Sequence, residues 1–76
     1  MRDLVESKGF FLYGTCSCGG TYTEKYKHKI DHRVLLKLYP KKNSFSIANN
    51  SIKFRAELLE EKVNEYLQQN KIVNNG

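Results

Sequence analysis

Cys16, Cys18, His28 and His32 are the only cysteines and histidines in the 76 residues, and they fall within one short segment. Two thiolates and two imidazoles are a complete tetrahedral zinc set, and a bound zinc would help to stabilise so small a chain. The spacing, C-x-C-x9-H-x3-H, departs from the two to four residues usual between paired zinc cysteines. If Thr21 to His28 is one extended strand, seven steps of about 3.3 Å put His28 roughly 23 Å from the Cys18 end. A site within one chain then needs a sharp turn between Tyr22 and Tyr26; otherwise two chains must share the ligands. The plainer reading gives the cysteines to a tight turn and the histidines to the loop before the next strand. A disulfide between Cys16 and Cys18 would be a small strained ring, and two cysteines are not a secreted disulfide framework.

A second set of residues is basic. Residues 20–55 hold nine Lys and Arg against Glu24 and Asp31, whereas residues 56–76 hold Lys62 and Lys71 against four glutamates. The net charge of +5 therefore belongs to the middle of the chain. Such a field attracts polyanions or an acidic protein surface. Lys37, Tyr39, Lys41, Lys42, Lys53 and Arg55 combine phosphate-neutralising cations with a ring for base stacking. Lys25 and Lys27 extend the set. The alternative is a solvated sheet face, because sheets with one wet side carry Lys, Ser and Thr there and lysines also guard strand edges.

Catalysis has less to stand on. Cys16 or Cys18 as nucleophile, with His28 or His32 as base, is chemically sound, but only closeness in sequence pairs them. Gly19-Gly20 lacks the flanking pattern and following helix of a phosphate-binding loop. The expectation is a binding module rather than an enzyme, without a cofactor unless the Cys/His set takes zinc.

These side chains must be positioned by strands. Phe10-Phe11-Leu12-Tyr13 and the run from Thr21 are β-prone, and Gly19-Gly20 suits a two-residue turn between them. That turn pairs Cys18 with Thr21, Tyr13 with Tyr26 and Phe11 with His28. Val34, Leu36 and Leu38 alternate, Pro40 to Asn43 is a turn, and Phe45 and Ile47 alternate again. A second turn at Asn49-Asn50 leads to Ile52 and Phe54. In this register Leu38 faces Phe45, Leu36 faces Ile47, Phe45 faces Phe54 and Ile47 faces Ile52. A slip of one residue would break all four pairs. The opposite face then carries one row of Lys37, Ser46 and Lys53 and another of Tyr39, Ser44 and Arg55. Leu59, Val63, Tyr66 and Leu67 share one helical face, and Glu57, Glu60 and Glu61 suit a helix N-terminus. A helix starting already at Ser51 is the rival reading of residues 51–56.

The expected fold is a single α+β domain over residues 1–70: a hairpin plus a three-stranded antiparallel meander, covered on one face by a C-terminal α-helix. Residues 71–76 read as a flexible tail. Nothing resembles a membrane span or a signal peptide, so the expectation is a cytoplasmic protein without a membrane partner. Its size and Lys- and Asn-rich composition suggest a microbial or viral source. Its partner is nucleic acid, single strands favoured, or the acidic surface of a nucleic-acid-processing protein, with a homodimer as a further option. A core this small gives only about 3–5 kcal/mol, so any partner would add needed stability.

Overall fold

The computed structural model describes residues 1–48 and 51–72. The expected α+β fold is present: five antiparallel strands and a C-terminal helix. The strands are β1 (Phe10–Cys16), β2 (Thr23–His28), β3 (Leu35–Tyr39), β4 (Ser44–Ile47) and β5 (Phe54–Arg55). They form one sheet in sequence order, so hairpin and meander are continuous. Helix α1 (Arg2–Ser7) precedes the sheet and α2 (Leu59–Gln69) follows it. No helix among the described residues is long and apolar enough to cross a membrane.

The meander has the register that its alternation dictates. Leu36 faces Ile47, Leu38 faces Phe45, and Phe45 faces Phe54. The Phe45 and Phe54 ring centroids lie 5.5 Å apart. The β3–β4 turn is a 3₁₀ turn over Pro40–Lys42, closed by Asn43 in the left-handed region, which Asn tolerates well. The Asn49-Asn50 turn lies outside the described residues. The expected strand begins not at Ile52 but at Phe54, and Ile52 is 56% exposed. A helix from Ser51 is likewise absent, since Phe54–Arg55 is strand and α2 starts at Leu59 after a 3₁₀ turn.

The first hairpin keeps its expected register near the loop and loses it further on. Cys16 faces Thr23, Thr15 faces Glu24 and Gly14 faces Lys25. The loop is wider than two residues, with a 3₁₀ turn at Cys18–Gly20, but it is centred on the same point. A bulge between Leu12 and Gly14 then shifts the pairing by one residue. Leu12, not Tyr13, faces Tyr26; Phe10, not Phe11, faces His28. Because one inserted residue exchanges the faces beyond it, Phe10 is buried and Phe11 is not.

Both helices pack on the same side of the sheet. Val5 of α1 and Leu59, Val63 and Leu67 of α2 join Phe10, Tyr26, Val34, Leu36, Leu38 and Phe45 in one core. The half-buried Tyr66 accepts a hydrogen bond from the Leu35 N–H at 3.1 Å. Helix α1 escaped the sequence reading. Six residues cannot hold a helix alone; Val5 is sunk in the core and Arg2 is tied to β2. The end of α2 is a Schellman cap. Lys71 is left-handed, the Ile72 N–H donates to the Leu67 carbonyl at 2.9 Å and the Lys71 N–H to that of Gln68 at 3.0 Å. Ile72 is thereby folded into the core, so packing continues two residues past the expected boundary at 70. Residues 73–76 of the expected tail lie outside the described residues.

Candidate nucleic-acid interface

The sheet face away from the helices is built by alternation. On β2 Glu24, Tyr26 and His28 are buried beneath the helices, so Thr23, Lys25 and Lys27 point the other way. Lys25 stands directly opposite Lys37, and Lys37 directly opposite Ser46. With Gly14 beyond Lys25, this makes one cross-strand row. The next row is Tyr39, Ser44 and Arg55, as the register predicted. Lys41 and Lys42 are exposed in the adjoining turn. Lys27 lies between Phe11 and Leu35 in a further row.

The aromatic side chains of this face are held in place. The Tyr39 hydroxyl lies 3.2 Å from Ser46 Oγ, and Lys53 Nζ sits 4.7 Å from the Tyr39 ring centre. Lys53 therefore reaches the face by lying over Tyr39, not by pairing in the ladder beside Ser46. Ser46 is buried, so its hydroxyl serves Tyr39 and is not offered to a ligand. Lys27 Nζ lies 4.5 Å from the Tyr13 ring centre, and the Phe11 ring meets the edge of His32 at 5.7 Å. Phe11 and Tyr13 are additions of the structure. The bulge brings them to this face, and a sequence signal for it existed in Gly14, since a glycine inside a strand often marks a bulge.

No strand places a carboxylate on this face. Glu24 is buried on the other side, where Arg2 Nη2 lies 2.6 Å away and the hydroxyls of Tyr22 and Tyr26 donate at 3.2 and 3.1 Å. Asp31 lies in the β2–β3 loop and is held by Arg33, whose side-chain and backbone N–H groups keep its carboxyl below the ordinary value. The remaining acids sit in α1, in the 3₁₀ turn Ala56–Leu58 and in α2. The molecule thus has a cationic sheet face backed by a carboxylate-bearing helical layer.

Among the described residues, Cys16, His28 and His32 are not brought together within one chain. β2 runs unbroken from Thr23 to His28, without the sharp turn that such a site needs. Cys16 faces Thr23, so five strand steps, about 17 Å, separate its end from His28. Both His28 ring nitrogens are used by backbone: Nε2 lies 2.8 Å from the Lys8 carbonyl, and Nδ1 accepts from the Ile30 N–H at 3.1 Å. Nδ1 thus serves as acceptor and Nε2 faces a carbonyl acceptor, so backbone occupies both nitrogens of the ring. Gly9 passes close above it, at φ +96°, where a Cβ would come within 2.6 Å of Nε2. His32 is exposed beside Phe11, and the side chain of Cys18 lies outside the described residues. Among the described residues no three His, Cys, Asp or Glu side chains are placed to hold a metal ion.

Comparison of the chain with protein-family models, with curated proteins and with solved structures gives no match.

Proposed function

We propose that this protein is a small nucleic-acid-binding module, favouring single strands, whose ligand lies across the open sheet face. One observation carries the reading: Lys25 and Lys37 stand directly opposite each other on a face without carboxylates. Like charges in that position destabilise a sheet, and a bound anion relieves the repulsion. Phosphates bridging this pair, with Arg55, Lys41 and Lys42 at one end of the face and Lys27 at the other, would release counterions on binding. Phe11, Tyr13 and Tyr39 add ring faces for stacking, which is worth about 1–3 kcal/mol per base. Lys27 and Lys53 lie over two of these rings; swinging onto phosphates would uncover the rings for bases.

A specific observation supports a second reading. With Tyr13 and Tyr39 under lysine ammonium groups, the face of the unliganded protein presents cations rather than bare rings. That also suits a flat acidic surface on a nucleic-acid-processing protein. Titration of labelled single-stranded and duplex oligonucleotides at two salt concentrations separates the readings. Micromolar or tighter binding that weakens with salt, and weakens further in Lys25→Ala and Lys37→Ala, supports the module. Absence of binding at low salt overturns it and leaves the acidic protein surface.

A further inference from the structure

Two tyrosine rings on the open face each carry a lysine of their own. Lys27 Nζ lies over Tyr13, at the bulge of β1, and Lys53 Nζ lies over Tyr39, on β3. The opposed Lys25 and Lys37 stand between the two rings. Phe11, whose ring meets the edge of His32 instead of a lysine, lies outside this series of cations and rings. The register gives the spacing. β1 and β3 are two strand intervals apart, about 10 Å. Gly14 stands in the row of Lys25 and Lys37, with Tyr13 one residue to one side of that row and Tyr39 two residues to the other. The offset along the strands is then about 7–10 Å, and the two ring-bearing positions are about 12–14 Å apart.

We infer, resting on the nucleic-acid reading of this face, that the unit it takes is an extended three-nucleotide stretch of single strand. Its outer bases lie on Tyr13 and Tyr39, and its phosphates on Lys27, Lys25, Lys37 and Lys53. Bases rise about 3.4 Å per step along a stacked duplex strand and about twice that along an extended one, so about 12–14 Å is two extended steps. A duplex, with steps half as long, does not bring neighbouring bases onto both rings. Three nucleotides enclose two inner phosphates, and the opposed lysines offer one ammonium to each. The two outer phosphates fall to Lys27 and Lys53, and each lysine uncovers its ring as it takes its phosphate. The middle base stands over the lysine pair rather than over a ring, so its presence matters least. Four phosphates on a single strand give a slope of log affinity against log salt of about −3.

Strands of abasic deoxyribose phosphate that carry two thymines, set adjacent or with one, two or three abasic positions between them, read the spacing directly. They are titrated at low salt by fluorescence anisotropy, beside plain oligo-dT. Affinity should peak with one abasic position between the thymines, about fivefold or more above the adjacent pair, the gain from seating a second base. Tyr13→Leu and Tyr39→Leu should each lose that peak. Tyr39→Phe should keep it, because the ring and not the hydroxyl seats the base. Should a leucine variant unfold, 5-iodouracil in place of the two thymines decides on the wild-type chain, since irradiation should cross-link it to Tyr13 and Tyr39. A flat response, a peak at another spacing, a peak that survives in both leucine variants, or cross-links elsewhere overturns the three-nucleotide unit, while binding of oligo-dT leaves the module standing. Failure of oligo-dT itself to bind overturns the module and the unit with it.

Discussion

Strand β2 carries two different rules on its two sides. Toward the helices stand Glu24, Tyr26 and His28, all buried and all with polar partners. Toward solvent stand Thr23, Lys25 and Lys27, and Lys25 directly opposes another lysine. The described residues leave no buried side-chain polar atom without a partner, whereas the open face keeps a repulsive pair with no carboxylate to relieve it. Burial explains the covered face completely, because a polar group taken out of water must be satisfied there. Burial does not dictate the lysine pair, which a solvated face tolerates and an anionic ligand would favour. The asymmetry is what a binding surface maintained at some cost in stability would produce.

The sharpest way to break this comparison is to remove a large side chain from the covered face. Phe45 is fully buried and packs on Phe54. Phe45→Ala should cost about 3–5 kcal/mol, as much as a core of this size supplies. The variant should show no cooperative thermal transition by circular dichroism; a melt like that of the wild type would mean that the covered face is not the core. Gly9→Ala comes next. Its φ is +96° and its Cβ would strike the His28 ring, so backbone strain of about 1–3 kcal/mol adds to a displaced ring. The double variant Gly9→Ala/His28→Ala removes the clash, and its destabilisation should fall short of the sum of the two single ones.

A smaller effect follows from the tyrosines of the covered side. Burial pushes the phenol of Tyr26 up from its ordinary value of 10.0, with the nearby Glu24 carboxylate adding to the rise and the Arg2 hydrogen bond opposing it. Tyr22 and Tyr66 are raised as well, each mainly by desolvation. The folded chain therefore holds these protons at a pH where the unfolded chain has released them. The stability they confer is complete below pH 10 and is lost as pH rises through the folded values. Urea midpoints measured from about pH 9 to about pH 11.5 should fall across that window, and less steeply in Tyr26→Phe. Midpoints unchanged by pH would show that Tyr26 is not shielded as its contacts imply.

Much of this frame was legible in the chain because apolar alternation and turn length together set a register. A slip of one residue would put Leu36, Leu38, Phe45, Ile47 and Phe54 on opposing sides, and the short turns exclude longer slips. The Tyr39, Ser44 and Arg55 row came with it. What stayed hidden depends on partners distant in sequence. Glu24 and His28 look like reactive groups in a polar run, and only Arg2 and Lys8, 22 and 20 residues earlier, reveal them as buried structural groups. Helix α1 has no periodicity long enough to read, and it exists because those same contacts hold it. The opposition of Lys25 and Lys37 required the hairpin to join the meander, which the composition of neither segment dictates. The bulge that turns Phe11 and Tyr13 outward is one residue long, and alternation cannot register it.

The smallest change in stability is the most informative about the open face. Lys37→Thr keeps a β-favourable residue beside Ser46 and removes one member of the like-charged pair. Cross-strand repulsion is worth only about 0.2–1 kcal/mol, so the urea midpoint should hold or rise slightly. Nucleic-acid affinity should move the other way. Losing one phosphate contact should lower the slope of log affinity against log salt by about 1, uniformly across sequences. Lys62→Thr on α2, away from this face, should leave the affinity and its salt slope unchanged. A Lys37→Thr variant that gains stability and loses affinity would establish that the two sides of the sheet answer to different demands. One that gains stability and keeps full affinity would return the lysines to the role of an ordinary solvated face.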